Sequence, residues 1–218
     1  MFTPELRQAS SDLRWLYDRG YSRSASVKLV GDRYQLDRKD RLLLFRGVSS
    51  TAASSRRNQL IVGPSALKGH SLAVDGHNVL LTVANYIAGI PVFEADDGII
   101  RDIGALHGRV HAEAVMRRSL DLVSETLKSL DQTSLFIAFD SPVSHSRDHA
   151  GYLRERTAMR SITIAVTPSG DKAIRERNLE FVATSDSALI ETLGRGVLDL
   201  ARLILEKTFD VKWESFVS

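Results

Sequence analysis

The chain has 218 residues and no cysteine, which excludes disulfides, thiolate metal sites and cysteine nucleophiles and points to a cytoplasmic protein. No apolar run approaches the roughly 18–20 residues that span a bilayer, and the N-terminus lacks a basic-then-apolar signal pattern, so no membrane association is expected. The net charge of +2 is unevenly spread: residues 1–70 hold 13 of the 29 Lys and Arg and 6 of the 27 Asp and Glu, leaving that part at +7 and the remainder at −5. A basic arm beside an acidic domain fits a phosphate-rich partner held near carboxylates, although a solvated helical surface explains the charge equally well.

Residues 1–48 read as a basic helical module. Leu6, Leu13, Leu16 and Tyr17 recur at helical spacing behind Pro4, and Gly20 ends that helix. Further helical segments are predicted over residues 22–33 and 38–46. Trp15 and Tyr17 sit among the apolar positions of the first helix and are expected in the module's small core. Residues 49–69, beginning with the polar run Ser49–Arg57, read as a linker. From residue 70 to 218 strands and helices alternate. Strands are predicted at Leu72–Val74, Ser134–Phe139, Ile162–Val166 and Glu180–Ala183. Helices are predicted at 78–88, 110–130, 144–159, 171–177, 187–193 and 196–207, with Ser144 as an N-cap. This alternation predicts an α/β domain with a mostly parallel sheet between helical layers. The last helices hold more Leu, Ile and Val between Leu189 and Leu205 than one face needs, which suggests a homodimer.

Acids recur at the strand ends. Asp75 follows the first strand, Asp140 the second, Asp171 the third after a short turn, and Asp186 the fourth. In a parallel sheet these ends share one edge, where ligands bind in a crevice. Like charges gathered there raise one another's pKa, and a hard cation such as Mg²⁺ or Mn²⁺ relieves the repulsion through oxygen ligands. Two such ions can clamp both oxygens of a phosphodiester displacement. Each acid also has a purely structural role open to it: Asp75 and Asp140 suit turns, and Asp171 and Asp186 suit helix N-termini.

Val74-Asp75-Gly76-His77-Asn78 resembles the first-strand motif of the NYN branch of PIN-like ribonucleases. Phe139-Asp140, Gly170-Asp171-Lys172-Ala173-Ile174 and Thr184-Ser185-Asp186 resemble its later motifs, in the same order. The likeness covers roughly residues 70–205, and the whole chain resembles a family of uncharacterised two-part prokaryotic proteins. The resemblance implies a three-layer, Rossmann-like α/β/α domain. It also implies Mg²⁺- or Mn²⁺-dependent RNA hydrolysis by a metal-activated water, with Asp75, Asp171, Asp186 and Asp140 as ligands. Asn78 would orient Asp75, touch a phosphate or cap a helix, and His77 lies beside the site. The family's usual second helical acid is missing between Pro91 and Arg109, where Asp97 in Asp96-Asp97-Gly98 is the candidate replacement, against a plain turn.

Ser144 and Arg147 could bind phosphate at a helix N-terminus. The pairs His107/His111 and His145/His149 have zinc-compatible spacing but lack the glutamate of a metalloprotease motif, and surface or core roles suit them better. Three functions remain open on sequence: a metal-dependent ribonuclease, an RNA-binding protein with a degenerate site, and a metal-dependent phosphatase.

Overall fold

The computed structural model describes residues 2–104, 112–157 and 161–216. Three helices open the chain, α1 (Pro4–Asp18), α2 (Arg23–Arg33) and α3 (Arg38–Gly47), as the apolar spacing predicts. Thr3 and Asp37 cap α1 and α3 through their side-chain oxygens. The predicted linker is instead structured. Ser50 caps α4 (Thr51–Asn58), Ile61 bridges to the sheet edge, and a short 3-10 turn follows at Pro64–Leu67. Its polar composition misleads because one residue, Arg57, anchors it from a 3% exposed position.

The remaining elements are β1 (Ser71–Asp75), α5 (Gly76–Ile87), β2 (Val92–Glu94), β3 (Ile100–Asp102), α6 (Glu113–Lys128), β4 (Ser134–Asp140), α7 (Ser146–Thr157), β5 (Ile162–Thr167), α8 (Gly170–Arg175), β6 (Phe181–Ala183), α9 (Ser187–Leu193), β7 (Gly196–Val197) and α10 (Leu200–Thr208). The main sheet has the order β5-β4-β1-β6-β7, and every pairing is parallel. Helices cover both faces, which makes a three-layer α/β/α fold. Leu72, Val74, Leu135, Ile137 and Phe139 point to one core with α5, α6, α7 and α10. The alternate residues Ala73, Phe136, Ala138 and Val182 point to the other, under Ile174 of α8 and Leu189 and Ile190 of α9. The apolar surplus in the last helices is consumed here: Leu189, Ile190, Leu200, Ala201, Ile204 and Leu205 are all buried within the chain. The reason for expecting a homodimer therefore disappears. Gly196 begins a strand rather than the predicted helix, because it pairs with Phe181 at the sheet edge.

The antiparallel hairpin β2–β3, inserted after α5, ties the front helices to the sheet. Phe93, Ala95 and Ile103 from this insert, with Phe216 near the C-terminus, share one core with Leu6, Leu13, Tyr17, Leu43 and Leu44. The ion pair of Arg14 with Asp96, at 2.8 Å, closes the same contact. Trp15, expected inside, is 52% exposed, with the Arg19 guanidinium 3.6 Å from its ring centroid. Its neighbour Tyr17 fills the core position. Among the described residues no helix is long and apolar enough to cross a membrane.

Close packing where β1 meets α5 gives a stability test. A Cβ on Gly76 would lie 2.7 Å from Phe139 Cε1 and 2.8 Å from the Ala138 carbonyl oxygen, and that backbone atom cannot withdraw. We expect Gly76→Ala to cost about 1–3 kcal/mol in chemical denaturation. Gly151 lies inside α7 with nothing within 4 Å, so Gly151→Ala should instead add about 0.5–1 kcal/mol. Equal effects of the two changes would refute this account.

Candidate functional site

The sheet order places β1 at the centre, with the chain reversing its direction of progress between β1 and β6. Ligands bind beyond the strand C-termini at such a reversal. A crevice of about 990 Å³ opens at the same sheet edge on the β1–β4 side, lined by Asp75, His77, Asn78, Asp140 and Asp171 and by no residue of β6 or the turn after it. The lining also includes Leu81, Met116, Leu120, Val143 and Tyr152, and Arg46 and Arg117.

Asp75 ends β1 and caps α5, so its structural and chemical roles coincide. Its Oδ1 accepts from the Asn78 N–H at 3.3 Å and its Oδ2 from the Thr184 hydroxyl at 2.9 Å. The side chain is almost fully buried. Burial, reinforced by the charges of Asp171 and Asp140, pushes its pKa up to about 7 against the two hydrogen bonds. Asp171, in the first turn of α8, is raised by burial and then by Asp186 and Asp140. Asp140 closes β4 and accepts from the Gly170 N–H at 2.7 Å. Asp186 caps α9 through the Leu189 N–H at 2.8 Å. The four acids thus act on one another at one sheet edge, although Asp186 does not line the crevice.

His77 is buried, and its Nδ1 accepts from the Asp140 N–H at 3.0 Å, which leaves the proton of the neutral ring on Nε2, 3.5 Å from Ser146 Oγ. Burial holds its pKa low, opposed by Asp140. Asn78 turns its Oδ1 away from Asp75, accepting from the Ser185 N–H and hydroxyl at 2.8 and 3.0 Å. It therefore fixes the turn that carries Asp186. Ser144 lines the crevice but does not cap α7, which begins at Ser146. Arg147 is exposed and is not part of the lining. His145 and His149 line the crevice, whereas His107 and His111 lie outside the described residues.

Asp97 does not join the other acids in the crevice lining. It is fully buried, and its oxygens accept from Arg57 and Arg101 at 2.6–2.7 Å. Burial opposes its ionisation, but Arg101 and Arg57 outweigh that and hold its pKa low. The residues that sequence reasoning passed over are Thr184, whose hydroxyl binds Asp75, and Asp102, which lines the crevice and accepts from Thr82 Oγ1 at 2.9 Å. Thr184 carried a signal in its place within Thr-Ser-Asp. Asp102 carried none, because it enters through a hairpin that the apolar pattern does not announce.

An all-oxygen donor set of crowded carboxylates suits Mg²⁺ or Mn²⁺. Among the described residues no three His, Asp or Glu side chains stand close enough to enclose a bare ion. A hydrated Mg²⁺ needs only one or two carboxylates, with waters filling its remaining positions, so the donor set fits such an ion.

Residues 5–59 match a second family, described as a protein of unknown function (DUF434). An uncharacterized protein of Methanocaldococcus jannaschii (MJ0935) is 28% identical over 202 residues, covering 92% of this chain and 97% of that protein. No solved structure matches the chain significantly. Residues 64–203, which include the whole carboxylate edge, match the family described as a domain of unknown function (DUF5616), and the chain belongs to that family.

Proposed function

We propose that the chain is a PIN-like, NYN-type hydrolase that cleaves RNA phosphodiester bonds with Mg²⁺ or Mn²⁺. The observation that carries this reading is the meeting of Asp75, Asp140 and Asp171 in one crevice, where burial and mutual repulsion disfavour the ionised forms of Asp75 and Asp171. Such a cluster gains most from a divalent cation. One or two of the carboxylates of Asp75, Asp140 and Asp171 would hold it, with waters in its other positions and Asp186 behind them; when bound, it would supply polarisation of a phosphoryl oxygen and acidification of a water. Thr184 and the Asn78 N–H keep the Asp75 carboxylate aimed. His77, neutral and pinned to the Asp140 backbone, keeps β4's end in place and retains its proton at Nε2.

Two features favour a polymer over a small phosphoester. The crevice lining combines its acids with apolar side chains such as Leu81, Met116 and Leu120, which suits a base next to a phosphate. The front region exposes Trp15, Tyr21 and Phe45, with Arg19 and Arg23 over the rings of Trp15 and Phe45, and such aromatic and cationic groups can stack on unpaired bases.

Purified protein assayed on labelled RNA and on a generic phosphoester, with Mn²⁺, with Mg²⁺ and with EDTA, tests the proposal. Metal-dependent RNA cleavage supports it. Turnover of the phosphoester alone makes the protein a phosphatase. Salt-sensitive RNA binding without any turnover identifies a binding protein with a degenerate site.

A further inference from the structure

Two guanidiniums lie behind the turn that carries Asp186, and they come from different parts of the chain. Arg101, from β3, donates Nε to the Ser185 carbonyl at 2.9 Å and one terminal nitrogen to Ser187 Oγ at 3.1 Å. Its other contacts are both oxygens of Asp97, at 2.7 Å each. Asp97 Oδ2 also accepts from Arg57 Nε of α4 at 2.6 Å, and Arg57 reaches Ser49 Oγ at 2.5 Å and Glu191 of α9. Arg57, Asp97 and Arg101 are each at most 3% exposed. From Ser185 the chain of bonds continues through its N–H and hydroxyl to Asn78, and Asn78 follows Asp75 by three residues.

We propose that Arg57–Asp97–Arg101 is a positioning strut, through which the N-terminal helical region holds the Thr184–Asp186 turn, and with it Asp75, in working geometry. Arg57 lies within residues 5–59, which match the DUF434 family, and Asp97 and Arg101 lie within residues 64–203, which match the DUF5616 family. The two matched regions therefore meet through a shared buried ion network behind the site. The front region is then a working part of the site and not a detachable substrate-binding arm. Its consequence for turnover rests on the hydrolase reading above; its consequence for the turn does not.

Amide hydrogen exchange on the metal-free full chain tests the strut. The probes are the Ser185 N–H, bound to Asn78, and the Asp186 N–H, bound to Thr184. Arg57→Met should speed their exchange about tenfold relative to the core amides of β1 and β4, a local opening without global unfolding. Arg57→Lys keeps the charge but loses the fork, and should fall between. Leu127→Ala weakens the core on the sheet face opposite α9 and touches none of the strut residues. It should not raise that ratio. If Arg57→Met raises the ratio no more than Leu127→Ala does, the strut is wrong. In the RNA assay, Arg57→Met should lower kcat roughly 10- to 100-fold with KM unchanged. A wild-type protein with no RNA turnover overturns the hydrolase reading alone, and the exchange ratio still decides the strut.

Discussion

Asp75→Asn should lower metal-dependent RNA cleavage by about a thousandfold while leaving the protein folded. Asparagine is nearly the same size, and its amide can keep both contacts. Its oxygen can accept from the Asn78 N–H, and its NH₂ can donate to the Thr184 hydroxyl oxygen, which already accepts from the Asp186 N–H. What is lost is the negative charge nearest the centre of the sheet edge. Charge stabilisation by a catalytic cation is worth several kcal/mol, and about 4 kcal/mol corresponds to a thousandfold in rate. Asp186→Asn should act less strongly, because Asp186 caps α9 and does not line the crevice. The measurement is single-turnover cleavage of labelled RNA with saturating Mn²⁺, alongside circular dichroism of the variant. Cleavage by folded Asp75→Asn at the wild-type rate would refute the site assignment.

The acids could be read from sequence because their positions depend on local pattern. A β-branched or apolar run fixes a strand, a following helix start fixes its C-terminal end, and the acid between them must lie on the shared edge. That reasoning needs only neighbours within a few residues, and it placed Asp75, Asp140, Asp171 and Asp186 at one end of a parallel sheet. The structural and chemical readings of these acids are not rivals, since Asp75 and Asp186 cap helices at the edge where they gather.

Where sequence reasoning erred, a distant partner decides the outcome. Asp97 stands in an Asp-Gly turn that looks available for a metal, but Arg101 grips both its oxygens and Arg57, forty residues earlier, adds a second guanidinium. Arg57 also anchors a run of serines and alanines, read as a linker, as a helix whose other residues stay at least partly exposed. Trp15 and Tyr17 share a helix and an apolar texture, and only the tertiary contact with Phe93 and Phe216 determines which side faces inward. The β2–β3 hairpin has three-residue strands, too short for any period to register, although it delivers Asp102, Arg101 and much of the packing on the front helices.

The second large effect is on stability. The folded protein keeps a proton on Asp75 up to about pH 7, while the unfolded chain releases it near 3.8. Between those values the unfolded state binds fewer protons, so stability falls as pH rises through the window, and the loss is complete above pH 7. A shift of about 3 units corresponds to about 4 kcal/mol. His77 and His149 act in the opposite direction, because their folded pKa values are lowered by burial and their contribution is lost as pH falls. The difference between wild type and Asp75→Asn removes these shared contributions. In EDTA, the variant should gain on the wild type by up to about 4 kcal/mol between pH 4 and pH 7.5. Mn²⁺ at a hundred times its dissociation constant should return about 2.7 kcal/mol to the wild type. The variant, lacking the central carboxylate, should gain much less. Urea denaturation at the two pH values, with Mn²⁺ and with EDTA, measures all of these. Parallel pH dependence in the two proteins would show that Asp75 is ionised in the metal-free fold, and that its burial is compensated by Thr184 and Asn78 without a cation.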